Sequence, residues 1–217
     1  MKTNGKKLLR ASFVLLALFA VWTVLVQTVN VRPAGESNTV VGFSALNCWI
    51  HQQIGVHLQL YVLTDWLGLV PVCVCLAFGV VGLIQLAKRK RLRAVDFDIL
   101  TLGVYYILVI MGYLLFEAYP VNYRPILIRG VAEASYPSST TLLVLSVMPT
   151  FAFQAKYRLI KGHRTIAGLT TAFSIFMVIG RVVSGVHWIT DIVGGALFSA
   201  GLFFSYKGIV LLYGEQR

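Results

Sequence analysis

Long apolar runs constrain this chain more than any other feature, standing at about 11–29, 66–87, 99–118, 140–154, 166–183 and 189–212 of its 217 residues. A bilayer core of about 30 Å needs about 20 apolar residues of helix, with roughly 17 as a lower limit. The runs therefore predict an all-α polytopic membrane protein, six transmembrane helices in a bundle, forming one domain over residues 1–217. The fourth run is short and Pro149 interrupts it, which a membrane helix tolerates where neighbouring helices or hydroxyls satisfy the freed carbonyl. Composition agrees: 58% of residues are hydrophobic and 12% charged, with a mean hydropathy of +0.78. A soluble globular domain has roughly 45–50% apolar residues, so an ordinary water-soluble enzyme is excluded.

The formal net charge is +11, and its distribution sets the expected topology. Lys2, Lys6, Lys7 and Arg10 precede the first run; Lys88, Arg89, Lys90, Arg91 and Arg93 fill the second connection; Lys156, Arg158, Lys161 and Arg164 the fourth; Lys207 and Arg217 lie near the C-terminus. Only Arg32, Arg124, Arg129 and Arg181 fall on the other side. Cytoplasmic loops carry the excess of Lys and Arg, so both termini are expected inside and connections one, three and five outside. The first run is longer than the 7–15-residue core of a signal peptide and no small-residue cleavage site follows, so it is expected to remain as an uncleaved helix. No nucleic-acid motif accompanies the basic charge, which is mostly topology with some attraction to anionic headgroups.

Three further features have structural readings. In the connection of about 30–65, Phe43, Leu46, Ile50, Ile54 and Leu58 recur at near-helical spacing among Asn47, His51, Gln52 and Gln59. That pattern predicts a helix lying in the interface, as an anchor or lid. Gly195 with Ser199, and Ala196 with Ala200, have the small-xxx-small spacing of close helix contacts. Cys48, Cys73 and Cys75 suggest neither a disulfide scaffold nor a metal site.

Ionisable groups near membrane helices are costly and point to function by default. The outer ends of runs three to six concentrate them: Arg124-Pro125, then Pro137-Ser138-Ser139-Thr140, then Arg181, His187 and Asp191. His187 and Asp191 are i, i+4, so a carboxylate on the same helix face can orient the imidazole and leave Nε2 free as nucleophile or base; a satisfied polar pair at a helix start is the plainer reading. Two arginines on the same side match phosphate oxygens bidentately. Ser138 and Ser139 open a helix whose free N–H groups form an anion site, and ordinary N-capping by these residues is compatible with that role.

Together these elements resemble the type 2 phosphatidic acid phosphatase and haloperoxidase superfamily. Its motifs KxxxxxxRP, PSGH and SRxxxxxHxxxD correspond to Glu117 through Arg124-Pro125, to Pro137-Ser138-Ser139-Thr140, and to Gly180-Arg181 through His187 to Asp191, all within residues 117–191. The resemblance implies metal-independent phosphoryl transfer through a phosphohistidine, with no cofactor. His187 would be the nucleophile and Asp191 its orienting partner, while Arg124, Arg181, Ser138 and the backbone N–H near Ser139 would hold the phosphoryl oxygens. The expected substrate is a lipid phosphate, hydrolysed or transferred at the extracytoplasmic side of a membrane; the small size suits a bacterial plasma membrane.

The departures from those motifs bear on substrate. Glu117 replaces the lysine, Ser139 and Thr140 replace the glycine and histidine, and Gly180 replaces the serine. Thr140 cannot act as the family's general acid, a group that typically contributes about 10²–10⁴-fold. Three hypotheses follow: a diphosphate substrate, such as a polyprenyl diphosphate, whose leaving group needs no proton; a proton supplied by His51 or His57; or a non-catalytic protein that binds a lipid phosphate or serves as a scaffold. His163 lies on the cytoplasmic side of the expected topology and cannot serve. A transporter is disfavoured, because no pair of runs shows the Gly/Pro breaks of inverted repeats.

Overall fold

A computed structural model describes residues 2–214 of the chain; Arg217, counted above among the inner charges, lies outside the described residues. In chain order the elements are α1 (Lys2–Thr28), β1 (Arg32–Ala34), β2 (Thr39–Val41), α2 (Ser44–Ile54), α3 (Leu58–Leu67), α4 (Leu69–Arg89), a 3-10 turn (Leu92–Ala94), α5 (Phe97–Ala118), α6 (Ser139–Tyr157), α7 (His163–Val183) and α8 (Ile189–Tyr213). Five segments are long and apolar enough to cross a membrane: Thr3–Thr28, Leu58–Arg89, Phe97–Ala118, His163–Val183 and Ile189–Tyr213. The chain is an integral membrane protein.

Two expectations need correction, and a third, the fourth span, is not matched by composition. The fourth expected span, 140–154, is the helix α6, but it falls short of the apolarity of the other five. Its place explains why: α6 packs against α4, α5, α7 and α8, so Thr141, Ser146, Thr150 and Gln154 are buried in protein and α6 needs no continuous apolar surface for lipid. The helix runs through Pro149, where hydroxyls crowd the break: Tyr105 donates to the Ser146 carbonyl at 2.9 Å, and Thr150 to the Val147 carbonyl at 2.7 Å.

The second expected span begins earlier than residue 66. α3 continues into α4 through Gly68, which keeps right-handed helical dihedrals. The expected helix is thus divided: α2 covers Ser44–Ile54, and α3 belongs to the membrane-length segment Leu58–Arg89. Finally, the fold is not wholly α. β1 and β2 form an antiparallel hairpin pairing Arg32 with Val41 and Ala34 with Thr39, closed by a turn in which Gly35 and Asn38 take φ of 75° and 51°, the left-handed region that glycine and asparagine tolerate.

α1 and α8 pack along most of their length through glycines. A Cβ on Gly201 would stand 2.7 Å from Leu16 Cδ2, and one on Gly208 2.9 Å from Leu9 Cδ2; Ser12 Oγ donates to the Gly201 carbonyl at 2.8 Å. Gly195 and Ser199 instead face α6: a Cβ on Gly195 would lie 3.2 Å from Thr141 Cγ2, and Ser199 donates to the Gly195 carbonyl. Phe19, Phe116, Tyr136 and Phe198 stack or meet edge-on between α1, α5 and α8.

One end of the bundle gathers the start of α1 and the ends of α4, α6 and α8. There Asp96 accepts from Gln85 and pairs with Arg89 at 2.6 Å, while Arg158 joins Asp96 at 3.2 Å and Asp98 at 2.7 Å. The hydrogen bond from Arg89 is the main reason the Asp96 carboxyl is held below the usual range. The opposite end carries the candidate site.

Candidate active site

The segment between α5 and α6 brings Arg124 over the ends of α7 and α8. It folds back on itself through bridges Tyr123–Ala134 and Ile128–Val131, and the Arg124 N–H donates to the Glu133 carbonyl at 3.0 Å. The β-hairpin braces it from outside: the Glu36 N–H donates to the Pro125 carbonyl at 2.9 Å, and the Glu36 carboxylate accepts from the Leu127 N–H at 2.9 Å. Gly35 permits this contact, since a Cβ there would stand 2.9 Å from the Pro125 carbonyl oxygen.

Asp191, fully buried in the first turn of α8, ties that turn to two points of the α5–α6 segment. Its Oδ2 accepts from the Trp188 N–H at 3.0 Å and its Oδ1 from Asn122 at 3.2 Å, while its backbone carbonyl accepts from the Ser138 N–H at 3.1 Å. The first of these satisfies a helix-start donor that would otherwise lack a partner. Trp188 Nε1 donates to the Tyr123 carbonyl at 2.7 Å, and Asn47 of α2 donates to Thr190 at 3.0 Å. The start of α8 is therefore held from the α5–α6 segment and from α2.

His187 precedes that turn and is 5% exposed. Its Nδ1 stands 3.7 Å from Asp191 Oδ2, beyond hydrogen-bond reach, because the carboxylate is already engaged with Trp188 and Asn122. Neither ring nitrogen of His187 meets hydrogen-bond geometry with a protein group. Burial, followed by the nearby Arg124 and Arg181 charges, pushes its pKa well below the usual histidine value, against a smaller opposing effect of the Ser135 backbone. The imidazole is neutral at neutral pH, with its lone pair available.

Arg181, in the last turn of α7, is 1% exposed. Its Nη2 donates to Asp65 Oδ1 at 3.1 Å and also to Thr140 Oγ1. The position at which the sequence lacks a histidine thus holds Arg181 in place. Arg124 pairs through Nε with Glu133 at 3.1 Å. The ring of Tyr61 approaches both guanidiniums, 5.0 Å from Arg181 Cζ and 5.6 Å from Arg124 Cζ, within the range of cation–π attraction.

Four buried donor atoms here have no hydrogen-bond partner in the protein: Arg124 Nη1, Arg181 Nε and Nη1, and Ser138 Oγ. Buried polar atoms in native proteins nearly always have a partner. A cluster of unpaired donors, three of them on two cations, beside a neutral imidazole at the start of α6 is a cradle for an oxyanion such as a phosphoryl group.

Ser139 and Glu117 lie further out. Both line a cavity of about 250 Å³, together with Arg124, Glu133 and Tyr113. Glu117 therefore faces the same space as Arg124. His51 shares a small pocket with His187 on the α2 side and meets the Trp188 ring edge-on at 5.6 Å; it does not line the larger cavity. His57 is tied to the Ile54 carbonyl at 3.0 Å. Gly180 lets α3 approach, since a Cβ there would meet Thr64 Cγ2 at 2.7 Å.

Sequence reasoning missed Tyr61, Asp65, Asn122, Ser135 and Glu133. Tyr61 and Asp65 carried one usable signal, an acid and an aromatic at i, i+4 on the edge of an apolar run; the others sit in irregular backbone whose return path no periodicity reveals.

Residues 99–211 match the PAP2 superfamily. The fold is similar to the crystal structure of a transmembrane PAP2-type phosphatidylglycerolphosphate phosphatase from Bacillus subtilis, with a TM-score of 0.55 at 18% identity, covering 91% of this chain and 94% of that one. No curated protein sequence matches the chain. Because the family match spans more than half of the 217 residues and contains Arg124, Ser138, Arg181, His187 and Asp191, the chain belongs to the PAP2 superfamily.

Proposed function

We propose that the protein is a lipid phosphatase or phosphotransferase acting through a phosphohistidine on His187. The observation that carries this reading is the set of buried, unpaired donors on Arg124, Arg181 and Ser138 beside a neutral His187. His187 Nε2 attacks phosphorus, the bond to the leaving oxygen breaks, and the phosphoryl group passes to nitrogen. Water or an acceptor hydroxyl then takes the phosphoryl group and regenerates the imidazole. Asp191, 3.7 Å from Nδ1, stabilises the positive charge that develops on the ring, and the arginines stabilise the charge spreading over the equatorial oxygens.

Thr140, bonded to Arg181, supplies no proton. The leaving group then has to be stable unprotonated. A phosphate expelled from a diphosphate has a pKa near ~6, whereas an alkoxide leaves with one nearer to water's ~15.7, so a lipid diphosphate such as a polyprenyl diphosphate is the preferred substrate. The whole chain serves as one membrane domain in this reading, with α6 as a sixth, protein-enclosed span. Both termini are cytoplasmic, supported by the basic residues gathered at the end of the bundle opposite His187, and the site faces the extracytoplasmic leaflet of a bacterial plasma membrane.

One observation favours a second reading, a lipid-phosphate binder without catalysis: Asp65 and Glu133 each pair with one of the two arginines. Phosphate release by purified protein from chain-matched lipid mono- and diphosphates, with His187→Ala prepared identically, decides between them. Release that vanishes in the variant and favours the diphosphate is the expected result. Equal rates on both substrates sink the diphosphate assignment, and no difference between wild type and variant, in hydrolysis or in transfer to an added alcohol, sinks the enzyme.

A further inference from the structure

A second feature lies at the other end of the bundle, remote from His187. α7 diverges from α1 and α8 there and leaves a cleft of about 1540 Å³ floored by α6. Its walls are apolar, with Leu145 and Phe153 from α6, Ile175 and Val178 from α7, and Phe203 and Leu211 from α8. Three lysines line the same cleft: Lys7 of α1, Lys156 at the end of α6, and Lys207 of α8. None has a carboxylate within 4 Å among the described residues, whereas Arg89 and Arg158 at the same end do. Lys156 and Lys207 stand close enough to repel each other. Lys207 extends along aromatic rings, its Nζ 5.7 Å from the centroids of Phe153 and Phe203.

Lysines near a membrane helix end reach out to the headgroup level, where anionic lipid attracts them. Three of them around one cleft, without acidic partners and with Lys156 and Lys207 repelling each other, mark the place of a negative group, and the apolar walls mark the place of the hydrocarbon attached to it. We propose that this cleft is a binding site for an anionic phospholipid of the leaflet opposite the active site, its acyl chains between α6, α7 and α8 and its phosphate against Lys7, Lys156 and Lys207.

The same features disfavour other occupants. A second copy of the chain docked about a two-fold axis would bring lysine against lysine. A free phosphate would leave the apolar walls uncovered, and the lysines present point charges rather than the backbone donors of an inorganic-anion site. The lipid would also close the gap between α7 and α8, which touch little along their length.

Native mass spectrometry of the detergent-purified protein tests this, with phosphatidylglycerol and phosphatidylcholine of matched chains added together. Each lysine near an anionic headgroup contributes a severalfold preference, so wild type should retain phosphatidylglycerol roughly tenfold or more over phosphatidylcholine. The double change Lys156→Gln, Lys207→Gln should abolish the preference, Lys156→Arg, Lys207→Arg should keep it, and Ala152→Trp, which fills the cleft, should reduce binding of both lipids. The charge-preserving variant guards against misfolding as the cause of a loss. The proposal is overturned by equal retention of the two lipids in wild type, by an unchanged preference in the glutamine variant, by competition from glycerol phosphate as strong as from the intact lipid, or by a dimer that buries the cleft.

Discussion

The segment Leu58–Arg89 and helix α6 are opposite solutions to life in a bilayer. The first is the most apolar part of the chain, with a mean hydropathy of 2.6 in its best stretch, of which only 6% is buried inside the protein. α6 is too polar to qualify as a span by composition, yet it sits in the middle of the bundle with Thr140, Thr141, Ser146, Thr150 and Gln154 buried. Hydropathy reports contact with lipid. The protein-enclosed helix is free to carry polar groups, and Thr140 with the start of α6 stands in the candidate site for that reason.

Substitutions can break or sharpen this contrast. The largest effect is expected at the site end: His187→Ala should reduce phosphate release by at least about 10³-fold, while Val80→Thr on the lipid-facing α4 should leave it within about twofold, measured on the same lipid diphosphate. Next comes Arg181→Lys. Its fork serves Asp65 and Thr140 together, which an ammonium cannot reproduce, so the rate should fall by about 10²-fold with little rescue relative to Arg181→Ala.

A smaller contrast lies in stability. Gln154 donates to the Tyr206 hydroxyl at 2.5 Å and accepts from Arg158 at 3.1 Å; Gln154→Ala strands both and should cost about 1–3 kcal/mol. Thermal unfolding in detergent should separate it clearly from Val80→Thr, expected within about 0.5 kcal/mol of wild type. Equal midpoints would remove the distinction between enclosed and lipid-facing helices.

The smallest effect concerns pH. The pKa of His187 is lowered in the folded protein, so the imidazole stays neutral well below pH 6.5, and if it is the nucleophile the acid limb of kcat/KM should lie below that value. The unfolded chain takes up the proton near 6.5, so this residue also makes stability fall as pH drops through that range. An acid limb centred at the ordinary histidine pKa would show that His187 is more solvated during catalysis than its burial suggests.

Much of the bundle was legible in sequence because lipid enforces it. The runs near 99–118, 166–183 and 189–212 lie almost residue for residue on α5, α7 and α8. The motif residues Arg124, Ser138, Arg181, His187 and Asp191 were legible through spacing, and the fold gathers them at one end. What escaped was set by packing. α3 reads as connection until its continuation through Gly68 places Tyr61 against the arginines, and the short hairpin declares itself only through turn residues. The i, i+4 spacing of His187 and Asp191 suggested a hydrogen bond, but the carboxylate's other donors hold it at 3.7 Å. Spacing defines which groups meet; competition among donors defines which of them bond.

The continuity of α3 with α4 has a mechanical consequence. A helical rod of 32 residues is about 48 Å long at 1.5 Å per residue, well beyond a hydrocarbon core of about 30 Å, so it has to tilt or project. Tyr61 and Asp65 ride on its projecting end, against Arg124 and Arg181. A change of bilayer thickness would then shift an aromatic ring and a carboxylate against the two arginines. Reconstitution in lipids of increasing chain length should shift KM in wild type and leave it level in the double change Tyr61→Ala, Asp65→Asn, as expected of a lever whose contact points have been removed.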